Sequence, residues 1–97
     1  MVYEINIVNV APDQAARFET AFAQAALRLS RIAGCRSVAL LRCVEWPTRY
    51  QVQIGWGRLQ DHVDHYPTTP EAAEIRALLR PLIEASDAAH FHEVALD

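Results

Sequence analysis

Arg36-Ser37-Val38-Ala39-Leu40-Leu41-Arg42-Cys43-Val44-Glu45-Trp46-Pro47-Thr48-Arg49-Tyr50-Gln51-Val52-Gln53-Ile54-Gly55-Trp56-Gly57 is the stretch that decides the fold. Two runs rich in β-branched and aromatic residues flank Glu45-Trp46-Pro47-Thr48, and a proline between two such runs is turn chemistry. The pattern predicts an antiparallel hairpin with strands over 36–45 and 48–57. In the second strand Tyr50, Val52, Ile54 and Trp56 share one face, while Gln51, Gln53 and Gly55 share the other. The first strand is apolar on both sides, with Val38, Leu40 and Val44 opposed to Ala39, Leu41 and Cys43. A strand of that kind has to be covered on both sides.

Upstream, Val2 to Val10 reads as another strand. Tyr3, Ile5 and Ile7 point one way; Val2, Val8 and Val10 point the other, with Glu4 and Asn6 among them. Ala11-Pro12-Asp13-Gln14 opens a helix, since proline suits its first position and Asp13 the positive end of its dipole. Phe18, Phe22, Ala25, Leu29 and Ile32 form its apolar stripe, and Gly34 stops it. Downstream, a short helix around Leu59 to His65 precedes a Pro67-Thr68-Thr69-Pro70 break. A second long helix starts at Pro70, with Thr69 as its cap and Glu71 in its first turn. Its stripe is Ala72, Ile75, Leu79 and Leu82, and Pro81 should end or kink it. His90 to Leu96 reads as a closing strand. The order β-α-β-β-α-β with right-handed crossovers predicts an α+β, ferredoxin-like sandwich: one domain over residues 1–97, a four-stranded antiparallel sheet, both helices on one face. The helices cover only that face, so a second, identical chain is expected on the other, as a homodimer.

Composition narrows the function. The 97 residues are 52% hydrophobic and 22% charged, which argues against disorder. Nine basic against twelve acidic residues give a net charge of −3, unlike a nucleic-acid surface. All nine basic residues are arginine, which excludes Schiff-base catalysis by a lysine. No apolar run approaches the roughly 20 residues of a membrane span, and Met1-Val2-Tyr3-Glu4 lacks the start of a signal peptide. Cys35 and Cys43 on one extended strand would lie about 26 Å apart, too far to bridge. Free thiols fit the cytoplasm. Gly34, Gly55 and Gly57 form no phosphate loop, and Ser30, Ser37 and Ser86 sit in no nucleophile elbow.

Phe18 and Phe22 in the first helix, Gly34-Cys35 after it, Leu41-Arg42 and Glu45-x-Pro47-x-Arg49-Tyr50 in the hairpin, Trp56, and His65 followed by Thr69-Pro70 resemble the antibiotic biosynthesis monooxygenase (ABM) family over nearly the whole chain. The resemblance implies a dimeric α+β barrel that binds a flat organic molecule between sheet and helices. Some members oxidise aromatic polyketides with O₂ and neither metal nor flavin; others degrade haem, act on small metabolites or have no known activity. The haem-degrading branch uses an Asn on the first strand, a Trp after the third and a His on the last helix. Asn6 matches the first. The other two fall at about His65 or Tyr66 and at about Ile75 or Arg76, so the Trp and the iron-ligating His are missing. Haem chemistry is disfavoured, and no cofactor is expected.

Each candidate residue has a structural reading beside its functional one. Trp56 is a core aromatic or a pocket wall whose indole N–H meets a substrate oxygen. Asn6, polar within an apolar strand, needs a backbone or water partner, or else a substrate carbonyl or oxyanion. His65 is a solvated helix-end residue or the general base, with Tyr66 beside it to orient the substrate. His62, one turn earlier, raises a metal pair with His65, disfavoured because no third ligand motif accompanies it. His90 and His92 share one side of the last strand, at the dimer interface or the pocket mouth. Arg76 is a surface cation or faces an acidic substrate. The expected activity is a cofactor-independent monooxygenase with His65 and Asn6 as catalytic residues and Trp56, Tyr66, Phe22 and Arg76 around a small apolar or aromatic ligand. A ligand-binding dimer without catalysis and an O₂-independent isomerase or degradation enzyme are the alternatives.

Overall fold

A computed structural model of the chain describes residues 1–96. Strand β1 (Val2–Val10) leads through a 3-10 turn (Pro12–Gln14) into α1 (Ala15–Leu29). Then come β2 (Cys35–Arg42), β3 (Arg49–Trp56), a π-helical turn (Asp61–His65), α2 (Pro70–Leu79) and β4 (Ile83–His92). The sheet order is β2-β3-β1-β4 with every neighbouring pair antiparallel, the expected ferredoxin-like arrangement.

Strand register assigns the faces. Val2, Glu4, Asn6 and Val8 on β1 stand opposite Trp56, Ile54, Val52 and Tyr50 on β3. Val8, Tyr50, Val52, Ile54 and Trp56 meet Phe18, Phe22, Ala25 and Leu29 of α1 and Ile75 of α2 in one core. Helices α1 and α2 pack together over it, with Arg28 of α1 paired to Glu74 of α2 at 2.9 Å. At the far end of the hairpin the Tyr50 hydroxyl donates to Glu19 at 2.6 Å, and Arg42 joins the same carboxylate. Thr69 caps α2 by accepting from the Ala72 N–H, as its sequence position predicts.

Two strands depart most from their expected limits. Strand β2 ends at Arg42 rather than Glu45, because the Cys43 N–H closes the hairpin on the Arg49 carbonyl at 2.8 Å. Val44, expected on the strand face shared by Val38 and Leu40, falls in the loop and is 89% exposed. Strand β4 begins at Ile83, directly after the turn at Pro81, and ends at His92 rather than running from His90 to Leu96. Its pairing with β1, from Val10↔Ile83 to Val2↔His92, is carried by backbone bonds. The edge strand's small and polar side chains give little apolar alternation to read.

The other sheet face carries Tyr3, Ile5 and Ile7 from β1, Ala39 and Leu41 from β2, and Ala89 and Phe91 from β4. Leu41 and Phe91 are about half exposed, at 48% and 51%. The chain measures 38 × 38 × 18 Å, one sheet with one layer of helices. Its surface is 6273 Å², against about 5,600 Å² for an average monomer of this mass. Among the described residues, no helix is long and apolar enough to cross a membrane.

Candidate active site

A cavity of about 150 Å³ lies between sheet and helices. Its apolar walls include Phe18, Phe22, Val52, Ile54, Ile75 and Leu79; its polar corner is Glu4, Asn6, His62 and Tyr66, against Trp56. A cavity of this size accommodates a benzene-sized molecule. Asn6, Tyr66, Ile75, Leu79 and Ile83 also border a wider basin of about 560 Å³, whose rim carries Arg76, Arg80 and Glu84. The inner slot and the basin therefore share a wall.

Three neighbouring strands and one turn build the polar corner. Glu4 stands opposite Ile54 on β3 and opposite His90 on β4. Trp56, fully buried at the end of β3, donates its indole N–H to Glu4 Oε1 at 3.1 Å. That donor offsets part of the cost of burying a carboxylate. The π-helical turn then carries His62 over the indole, with ring centroids 5.1 Å apart and planes 13° from parallel. His62 Nε2 lies 3.3 Å from Glu4 Oε1, and His62 Nδ1 lies 2.8 Å from His90 Nε2. Tyr66 meets the Trp56 ring edge-on at 5.8 Å.

The turn is held by a local latch. Gly34 has φ +93°, a left-handed conformation that favours glycine. Its carbonyl accepts the Gly57 N–H at 2.8 Å, and Asp61 accepts the Arg58 N–H at 2.9 Å. The Asp61 side chain fills the space beside Gly34, where a Cβ would come within 2.4 Å of it. Local π-helical geometry of this kind is frequent at functional sites.

Electrostatics follow burial. Burial pushes the His62 pKa below its ordinary 6.5; the Glu4 charge works against this shift and His90 adds to it. Burial also raises the Tyr66 pKa, assisted by Glu4 and opposed by Arg76. His62 is thus neutral at pH 7 and Tyr66 keeps its hydroxyl proton.

The structure brings most of the sequence candidates together. Asn6, Phe22, Trp56 and Tyr66 all line the slot, and Asn6 Oδ1 is buried without a hydrogen-bond partner. Arg76 is exposed on the basin rim. His65 is exposed and lies outside the linings of both slot and basin; the neighbouring turn position, His62, faces inward instead. The Trp56 N–H is engaged by Glu4 rather than free for a substrate oxygen. His90 reaches His62, tying the edge strand to the corner. Glu4 and His62 are the pair that pattern reading passed over. A signal existed, since Glu4 belongs to the inward-facing set of β1, where a carboxylate requires donors. Among the described residues, no three His, Cys, Asp or Glu side chains are grouped to hold a metal ion.

An α+β sheet-and-helix fold with an apolar slot and one acid–imidazole corner defines the class of protein. The antibiotic biosynthesis monooxygenase family model matches residues 1–78. The Bacillus subtilis protein YczJ is 30% identical over 100 residues, covering 97% of this chain and all of that one. A Bordetella bronchiseptica structure, provisionally designated an antibiotic biosynthesis monooxygenase, superposes with a TM-score of 0.92 at 29% identity, covering 97% of each chain. SnoaB from Streptomyces nogalater, a cofactor-independent oxygenase, shares the fold with a TM-score of 0.86 at 23% identity, over 98% of this chain and 94% of that one. The chain belongs to the antibiotic biosynthesis monooxygenase family.

Proposed function

We propose that the protein is a cofactor-independent monooxygenase acting on a small electron-rich aromatic or enolic substrate. The observation that carries this reading is the apolar slot whose polar groups gather in one corner around Glu4. A flat ring fits between Phe22 and the β3 face. Asn6 Oδ1 lacks a donor, and a phenolic or enolic hydroxyl supplies one. The same amide carries N–H donors for the oxyanion formed on ionisation. Arg76 on the basin rim meets an acidic substituent. Family membership supports oxygenase chemistry, and SnoaB shows that this fold can host it without a cofactor.

Glu4 takes the base role that the sequence suggested for His65. It accepts an acidic proton from the substrate, and the electron pair left behind is delocalised onto a ring carbon. That carbon reduces O₂ and bonds to it, giving a peroxide anion that takes the proton back from Glu4. Where the carbon bears a second hydrogen, Glu4 removes it as the O–O bond breaks. A C=O group and one water result, with both substrate hydrogens in the water. The apolar walls exclude solvent from the carbanion and strengthen the polar contacts.

Oxygen consumption with a single-ring quinol in the presence of a chelator tests this directly. Glu4→Gln should lower kcat by about 10²–10⁴-fold, the range of positioned acid–base groups. An unchanged rate in that variant would remove Glu4 from the chemistry, and turnover that persists without oxygen would favour an isomerase.

The bare sheet face supports a homodimer closed face to face as an α+β barrel, with each slot under its own helices. The reading also places the enzyme in the cytoplasm, where the free thiols Cys35 and Cys43 stay reduced.

A further inference from the structure

We infer that His90, on the edge strand β4, is a positioning residue that fixes His62 in the tautomer protonated at Nε2 and so leaves Glu4 as the proton acceptor of the site. This inference rests on the acid–base reading above but has a structural readout of its own.

A carboxylate can only accept hydrogen bonds, whereas a neutral imidazole has one N–H and one bare nitrogen. His62 is neutral at pH 7, since burial holds its pKa down. Were its proton on Nδ1, the bare Nε2 would face the Glu4 carboxylate, lone pair against lone pair, at 3.3 Å. With the proton on Nε2, His62 donates to Glu4, and its bare Nδ1 accepts the Nε2–H of His90 at 2.8 Å. The satisfied chain therefore runs His90 Nε2–H to His62 Nδ1, His62 Nε2–H to Glu4 Oε1, with the Trp56 N–H on the same oxygen at 3.1 Å.

Two consequences follow. Both nitrogens of His62 are occupied, so His62 cannot itself take a proton from a substrate. Its two partners also lie on opposite sides of the ring, which separates them as ligands for any one ion. The groups facing His62 are Glu4 from β1, Trp56 from β3, His90 from β4 and Tyr66 from its own connection; Asp61, at the start of the turn, is paired with Arg58. Of these, only His90 can set which nitrogen bears the proton from the side away from Glu4. The register Glu4↔His90 puts that donor on the strand next to the carboxylate.

The test is nitrogen-15 NMR of the four histidine rings in the intact protein near pH 7.5, with His90→Ala and His90→Gln beside the wild type. The wild type should show His62 as a single Nε2–H tautomer. In His90→Ala the His62 ring nitrogens should move toward tautomer-averaged shifts, while His90→Gln, which keeps an N–H donor, should hold the wild-type pattern. In oxygen uptake, His90→Ala should lose on the order of tenfold in kcat with KM little changed, a loss typical when the partner orienting a functional imidazole is removed. His90→Gln should recover most of it, and the acid limb of the pH–rate profile should move only in His90→Ala. A His62 ring protonated at Nδ1 in the wild type, or an unchanged His62 spectrum in His90→Ala, would overturn the inference. Absence of oxygen uptake with every substrate would instead refute the proposed activity, while the spectrum still decides the tautomer.

Discussion

His62 and His65 share one turn, and only His62 borders the slot. The difference has a measurable sign. Burial depresses the pKa of His62 in the folded chain, while the unfolded chain binds that proton near the ordinary value of about 6.5. Between the two values the unfolded state holds more protons, so stability rises with pH across that window and is lost on acidification. Urea midpoints should therefore fall as pH drops below about 6.5, and His62→Gln should flatten the profile. Equal slopes in the two proteins would detach His62 from the acid sensitivity. The residue scale is also where the sequence was least legible. Apolar walls such as Phe22 and Trp56 follow from periodicity, because a stripe or an alternating face has only one place to go. A histidine carries no such signal: the direction of its ring depends on the exact pitch of the turn, and one π-helical turn was enough to exchange His62 for His65.

That turn shows how an element can depend on one residue far from it in sequence. Gly34 ends the connection after α1 with φ +93° and leaves room for the Asp61 side chain. Gly34→Ala adds a methyl 2.4 Å from that side chain and forces an unfavourable backbone region. The expected cost is about 1–3 kcal/mol, measured by urea denaturation, together with a fall in oxygen uptake as His62 leaves Trp56. A variant with wild-type stability and rate would show that the latch does not hold the turn. Elements were otherwise read in proportion to their apolar contrast. Helix α1 and strand β3 have one buried side each and emerged with nearly the right limits. Strand β4 joins the sheet through its backbone, with Glu84, Ser86 and Asp87 along it, so only its last residues were visible.

At the level of the whole molecule, one sheet with one layer of helices, 18 Å thick, leaves the second sheet face without a covering layer. Ile5, Ile7, Leu41 and Phe91 line the uncovered side. Sedimentation equilibrium at micromolar concentration should give a dimer, and Ile5→Asp with Leu41→Asp should give a folded monomer, because two buried, unpaired carboxylates oppose association. A wild-type monomer at high concentration would refute face-to-face closure. The uncovered sheet face itself was legible early, since β1 and β2 are apolar on both sides and helices can cover only one.

The contrast between the two tryptophans has a practical corollary. Trp46 is 59% exposed and sits against Arg49, whereas Trp56 is sealed beside the slot and stacked on an imidazole. Their fluorescence should separate into a red, water-quenched component and a blue one. With Trp46→Phe removing the first, the remaining emission becomes an intrinsic optical gauge of slot occupancy: a bound aromatic quenches it without any label, and candidate substrates can be ranked before a reaction is ever observed.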